Sequence, residues 1–218
     1  MRLRKLAMFL AIPILAETLS ADAAKVQGLL MALGSNSKQM KSYQWKQRIT
    51  VFRKGDPTEP ILEEVRFDSS GQLQRITLAK PEPKRMGPIR SRKAAEIKES
   101  IQEVMQLAAR YTHPQTLGQA IQKGEIWEGQ GSLRVQGRSI VLPVDEITLR
   151  VDGATFVATR LDCRTAHENN PVTISADYQR LPNGPSVMTR MTVQMPKEHV
   201  VIQVESFDHV QLARPAAF

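Results

Sequence analysis

VTISADYQRL (172–181), PNGP (182–185), SVMTRMTVQM (186–195) and HVVIQVESFDHVQL (199–212) decide the architecture of this chain. Val172, Ile174, Ala176 and Tyr178 alternate with polar residues, and Val187, Thr189, Met191, Val193 and Met195 repeat the pattern in the next run. A period of two places each set on one face of a strand. Pro182-Asn183-Gly184-Pro185 and Pro196-Lys197 are turns too short for a crossover, so these strands pair as antiparallel neighbours with one dry face.

Upstream of this stretch the same signals extend the sheet. Runs at 126–127, 132–135, 140–142, 146–151 and 155–165 read as strands, separated by turn residues such as Gln136-Gly137, Asp152-Gly153 and Asn169-Asn170-Pro171. Nearer the N-terminus, Tyr43, Trp45, Ile49 and Val51 share one parity, with Lys46 and Arg48 on the other, until Gly55-Asp56-Pro57 ends the run. A second strand at 61–67 turns through Asp68-Ser69-Ser70-Gly71 into a third at 73–78, which completes a meander.

Two helical segments supply the cover that the dry face needs. Ile97, Ile101, Val104, Ala108 and Tyr111 form a stripe over residues 94–111, stopped by His113-Pro114, and a short second helix over 115–122 is closed by Gly124. Val26, Leu29, Leu30 and Leu33 predict an N-terminal helix of about three turns from Lys25, interrupted at Gly34-Ser35-Asn36. Between meander and helix, residues 80–93 hold three prolines and six bases. They predict a basic crossover loop whose Lys84, Arg85, Arg90 and Arg92 are candidates for contact with an anionic surface.

Before these elements, Arg2, Arg4 and Lys5 precede an 11-residue uncharged run (6–16), and Ala21-Asp22-Ala23 follows. A bilayer-spanning helix needs about 20 apolar residues, so the order of parts predicts a signal peptide at 1–23 and one domain at 24–218. With no cysteine after the apolar run, an N-terminal lipid anchor is not expected. In total the chain has 218 residues, 30 basic against 22 acidic and 41% hydrophobic, a composition that excludes disorder. Cleavage after Ala23 would remove three bases and two acids and leave a basic periplasmic protein suited to anionic partners, with nucleic acid disfavoured by the compartment. Cys163 is the only cysteine, so no intrachain disulfide forms, and its parity with Val157, Thr159 and Leu161 predicts a buried thiol.

No chemistry-bearing motif is present. His113, His167, His199 and His209 lie on separate elements, His167-Glu168 is a turn dipeptide, and Gly129-Gln130-Gly131 lacks a third glycine and a following helix. Adjacent acids such as Glu63-Glu64 and Asp145-Glu146 point to opposite strand faces and read as solvated edge charges. No enzyme activity, metal or cofactor is therefore expected.

A resemblance rests on Tyr43-Gln44-Trp45-Lys46-Gln47-Arg48, on Val65-Arg66-Phe67-Asp68-Ser69-Ser70-Gly71-Gln72-Leu73, and on the order of elements around them. The chain resembles exported bacterial proteins grouped with outer-membrane lipoprotein-sorting carriers. The resemblance implies an α+β fold in which a large antiparallel sheet curls into an incomplete barrel, covered by an N-terminal and a crossing helix, with an apolar hollow for acyl chains. It leads to a non-enzymatic periplasmic binding or carrier protein for lipid, lipoprotein or another amphiphile, with Trp45, Ile49, Val51, Ile101 and Tyr111 lining the hollow. The competing expectation is an envelope scaffold that binds a protein partner or an anionic surface and whose apolar face is closed core.

Overall fold

The computed structural model describes residues 13–80 and 88–212. Its elements run α1 (Pro13–Met40), β1 (Tyr43–Arg53), β2 (Asp56–Pro57), β3 (Ile61–Phe67), β4 (Leu73–Ala79), α2 (Pro88–Thr112), α3 (Pro114–Lys123) and β5 (Glu125–Gly129). There follow β6 (Ser132–Arg138), β7 (Glu146–Asp152), β8 (Ala158–His167), β9 (Asn170–Arg180), β10 (Ser186–Met195) and β11 (Val200–Gln211). The strands form one antiparallel sheet in the order β4-β3-β1-β11-β10-β9-β8-β7-β6-β5, with β2 a two-residue addition to β1. Its ends, β4 and β5, do not pair, so the architecture is an α+β incomplete barrel. Among the described residues no helix is long and apolar enough to cross a membrane.

Irregular register bends this sheet. The pairing shifts between β1 and β11, β9 and β10, β7 and β8, and β3 and β4. In β11 the extra residue is Asp208, at φ +53°. An unpaired residue bends its strand and adds twist, and four such places curl a long sheet toward a barrel.

The concave face carries the core. Leu133 and Val135 of β6, Leu149 and Val151 of β7, Leu161 and Cys163 of β8, and the matching residues of β9 to β11 meet Val104, Leu107, Ala108 and Tyr111 of α2 and Leu117, Ala120 and Ile121 of α3. Val104, Ala108 and Tyr111 of the α2 stripe are thus buried as their spacing predicts, Ile101 is half-buried, and the side chain of Ile97 lies outside the described residues. On β1 the dry face breaks down: Gln47 is buried opposite Ser206 and Glu63, and its Nε2 donates to Glu63 Oε2 at 2.6 Å.

Local chemistry sets the helix junction. His113 caps α3, its Nδ1 accepting from Gln115 N at 3.2 Å, and Pro114 follows at the first helical position, where a missing N–H costs nothing. At the other end only glycine fits, because a Cβ on Gly124 would run into the carbonyl oxygens of Ala120 and Gln136.

Several expectations are corrected. The first helix is not broken at Gly34 but runs continuously to Met40, since Gly34 faces open space and Asn36 turns inward as a tether. The basic stretch is not a loop throughout, for α2 begins at Pro88, again a proline suited to a first helical position. Residues 140–142 are no strand. They wrap around Asp145, which is buried at 3% exposure rather than solvated: its Oδ1 accepts from Ile140 N at 2.8 Å and its Oδ2 from Val141 N at 2.7 Å and Leu142 N at 2.8 Å. A carboxylate that gathers three amides outcompetes a β ladder for this short segment.

Candidate functional site

Between the helices and the sheet lies an apolar hollow of ≈ 220 Å³. One wall is α1, through Leu29, Ala32, Leu33, Asn36, Ser37 and Met40; a second is Leu117 and Ile121 of α3. The floor is Leu149 and Val151 of β7, Tyr178 of β9 and Met188 of β10, with Phe67 and Phe156 at its margins. Among the described residues its lining holds no carboxylate, imidazole, amine or thiol.

Three attachments of α1 set the size of this hollow. Near one end Lys25 pairs with Glu128 of β5. One turn on, the ring of Phe156 lies against Gly28, so close that a Cβ there would sit 3.0 Å from it. Further along, the Asn36 amide completes a two-bond bridge with the start of β10, its Nδ2 donating to Ser186 O at 3.0 Å while its Oδ1 accepts from Ser186 N at 2.6 Å. Phe156 holds φ +55°, a costly conformation for an aromatic residue. Its turn is fixed by Asp152, whose Oδ1 accepts from Thr155 N at 2.8 Å and from Thr155 Oγ1 at 2.7 Å; the Thr155 hydroxyl bond leads in holding that carboxyl below its ordinary range.

The structure places the five sequence-derived lining residues around this hollow rather than on its wall. Trp45 stacks on His209 with ring centroids 6.3 Å apart, and lies 6.1 Å from Phe67, which does reach the wall. Burial pushes the His209 imidazole below its ordinary value. Ile49, Val51 and Ile101 are partly buried against the core. Tyr111 is wholly buried, its hydroxyl 2.7 Å from Thr165 Oγ1 and donating to Asp145 Oδ2 at 3.1 Å, and burial raises its pKa. Asn36, Phe156 and Met188 were not singled out from sequence. Asn36 sits in a stretch that reads as a break, and Phe156 in one that reads as the start of a strand.

The anionic-surface candidates are described only in part. Lys84 and Arg85 lie outside the described residues, as do the side chains of Arg90 and Arg92, whose backbone belongs to the first turns of α2. Among the described residues one group has metal-ligating chemistry: Glu103, His167 and Glu168, with ligand atoms within 4.8 Å of one another. Both glutamates are exposed, and a Glu103 carboxylate oxygen lies 3.1 Å from His167 Nε2.

No family model and no curated protein matches the chain. Solved structures similar to it include two of low sequence identity. One is a LolA superfamily protein from Nitrosomonas europaea, 12% identical, with 85% of this chain and 93% of that chain covered at a TM-score of 0.44. The other is a DUF1329 family protein from Desulfovibrio piger, 8% identical, covering 87% and 92% at a TM-score of 0.42. At these identities no residue role passes to this chain. The open, helix-covered sheet is itself the incomplete barrel that the lipoprotein-carrier resemblance implies.

Proposed function

We propose that this chain is a non-enzymatic binding or carrier protein for lipid, lipoprotein acyl chains or another amphiphile, taking an alkyl chain between α1, α3 and the β7–β10 floor. The observation that carries this reading is the hollow: ≈ 220 Å³ walled mainly by Leu, Val, Ile, Ala, Met and Phe side chains. Apolar cavities of about 150 Å³ already stay dry and take up hydrocarbon, so a space of this size and chemistry favours an alkyl chain over a polar substrate. A lining with no carboxylate, imidazole, amine or thiol, whose one phenol, Tyr178, is held in its neutral form by burial, supports binding rather than catalysis. Export to the periplasm with cleavage after Ala23, and contact of Lys84, Arg85, Arg90 and Arg92 with an anionic surface, belong to the same proposal.

Filling the hollow tests it. Ala32→Phe places a ring where the wall has room, so uptake of a fluorescent fatty acyl probe should fall at least about tenfold while thermal stability holds. In a closed core the same enlargement costs about 1–3 kcal/mol. Native mass spectra of the purified protein should show bound lipid. Loss of stability in Ala32→Phe, together with no probe uptake and no bound lipid, rejects the carrier.

The scaffold reading has one observation in its favour. Edge strand β4 is exposed along its whole length and carries Leu73, Ile76 and Leu78 at 45%, 41% and 48% exposure. An unpaired edge with apolar side chains is a place where a partner's strand adds. Under that reading Ile76→Lys abolishes capture of a partner and leaves probe uptake unchanged.

A further inference from the structure

Across the outer face of the sheet runs one row of directly opposed residues. Trp127 of β5 faces Arg134 of β6, which faces Arg150 of β7, which faces Arg160 of β8. The row continues through Asp177, Arg190, Glu205 and Arg48. In that second half every arginine is answered: Arg160 lies 2.9 Å from both Asp162 and Asp177, and Arg190 and Arg48 each lie 3.5 Å from Glu205.

At β6 and β7 the alternation of sign stops. Arg134 and Arg150 stand opposite each other, both exposed, and neither has a carboxylate partner among the described residues. Like charges directly opposed on a sheet destabilise it, so folding alone does not account for the pair. Beside them Trp127 is 52% exposed, and the Arg134 guanidinium lies 5.9 Å from its ring centroid. A large amphipathic ring left in water next to two uncompensated guanidiniums combines the two chemistries of a lipid headgroup layer: phosphate for the arginines and an apolar-polar boundary for the indole.

We propose that Trp127, Arg134 and Arg150 form a docking surface for an anionic phospholipid bilayer. Lipid phosphates sit between the two guanidiniums, and the indole lies at headgroup depth. Charge complementarity selects this occupant. The arginines are exposed on a sheet face at its β5 rim, where one small anion is weakly held in water but a surface offers many phosphates at once. This assignment is independent of the hollow and holds whether the hollow carries a ligand or not.

Vesicle flotation with phosphatidylglycerol in phosphatidylcholine, against pure phosphatidylcholine, tests it on the full chain. The wild type should float with the anionic vesicles only, and less in high salt. R134Q/R150Q should bind them more than about tenfold more weakly, at roughly fivefold per arginine. Arg48→Gln, whose charge Glu205 already answers, should change binding less than about twofold. In a Trp45→Phe background the remaining Trp127 emission should shift to the blue on anionic vesicles, which attachment through another segment would not produce. Melting of R134Q/R150Q should be unchanged or raised, because the repulsion is relieved.

Three results overturn the proposal. One is wild-type binding retained by R134Q/R150Q, including the case where replacing Lys84, Arg85, Arg90 and Arg92 abolishes it instead. Another is a Trp127 emission that ignores the vesicles. The last is competition by millimolar glycerol phosphate in solution, which would make the pair a site for a free anion.

Discussion

Tyr111 and Tyr178 bury the same hydroxyl group in opposite circumstances. The Tyr111 oxygen joins Thr165 Oγ1 and Asp145 Oδ2, linking the end of α2 to β8 and to the loop around Asp145. The Tyr178 oxygen is buried without a protein partner, and burial raises its pKa as well. Removing a bonded buried hydroxyl leaves its partners short, whereas removing an unbonded one relieves a desolvation cost. Tyr111→Phe should therefore lower stability by about 1–3 kcal/mol. In a chain of this size that is roughly 2–4 °C of Tm per kcal/mol. Tyr178→Phe should leave Tm unchanged or raise it. Paired urea and thermal melts decide, and equal losses in both variants would dismiss the distinction. Neither role was legible in the sequence, because strand and helix parity say that a tyrosine is buried, not what its oxygen meets.

Among the elements, α1 determines whether there is a hollow at all. Leu29 of α1 is buried in the core, yet the bridge from Asn36 to Ser186 fixes how far the helix stands from β10. Asn36→Ala strips both backbone groups of Ser186, itself a buried residue, of their partner. The cost should be about 1–3 kcal/mol. Amide exchange should quicken along α1 and at Ser186 but not along β8 and β9. Uniform quickening across the sheet would mean that Asn36 supports the whole fold rather than this seam. The strands from 125 to 212, apart from the false one at 140–142 that Asp145 gathers into a loop, were legible because hairpin turns and period-two alternation agree there. The stretch 34–36 was not, since Gly-Ser-Asn is turn chemistry by propensity, and only the tertiary bridge from Asn36 holds it in a helix.

At the scale of the whole molecule, a half-open barrel must keep its helical layer on the sheet without a disulfide. The lining of the hollow escaped the sequence for a physical reason: a residue facing a gap and one facing a packed neighbour alternate identically. The width of the gap depends on Phe156 and Asn36, in a turn and an apparent break. Cys163 reports on this layer. It is the chain's only cysteine, is 2% exposed on the core face of β8, and burial, with Asp145 nearby, pushes its thiol pKa up. Because the thiolate is the reactive form, labelling requires the helices to lift or the chain to unfold. Native labelling should run orders of magnitude below the unfolded rate, and the ratio measures the opening equilibrium. A ligand that binds only the closed form adds RT ln(1 + [L]/Kd), about 2.7 kcal/mol at a hundredfold excess over Kd. A fatty acyl probe at that excess should slow labelling by about a hundredfold. If the probe binds and the labelling rate does not move, the ligand is held away from the seam between helix and sheet; equal rates in native and unfolded protein would show that the thiol is never covered.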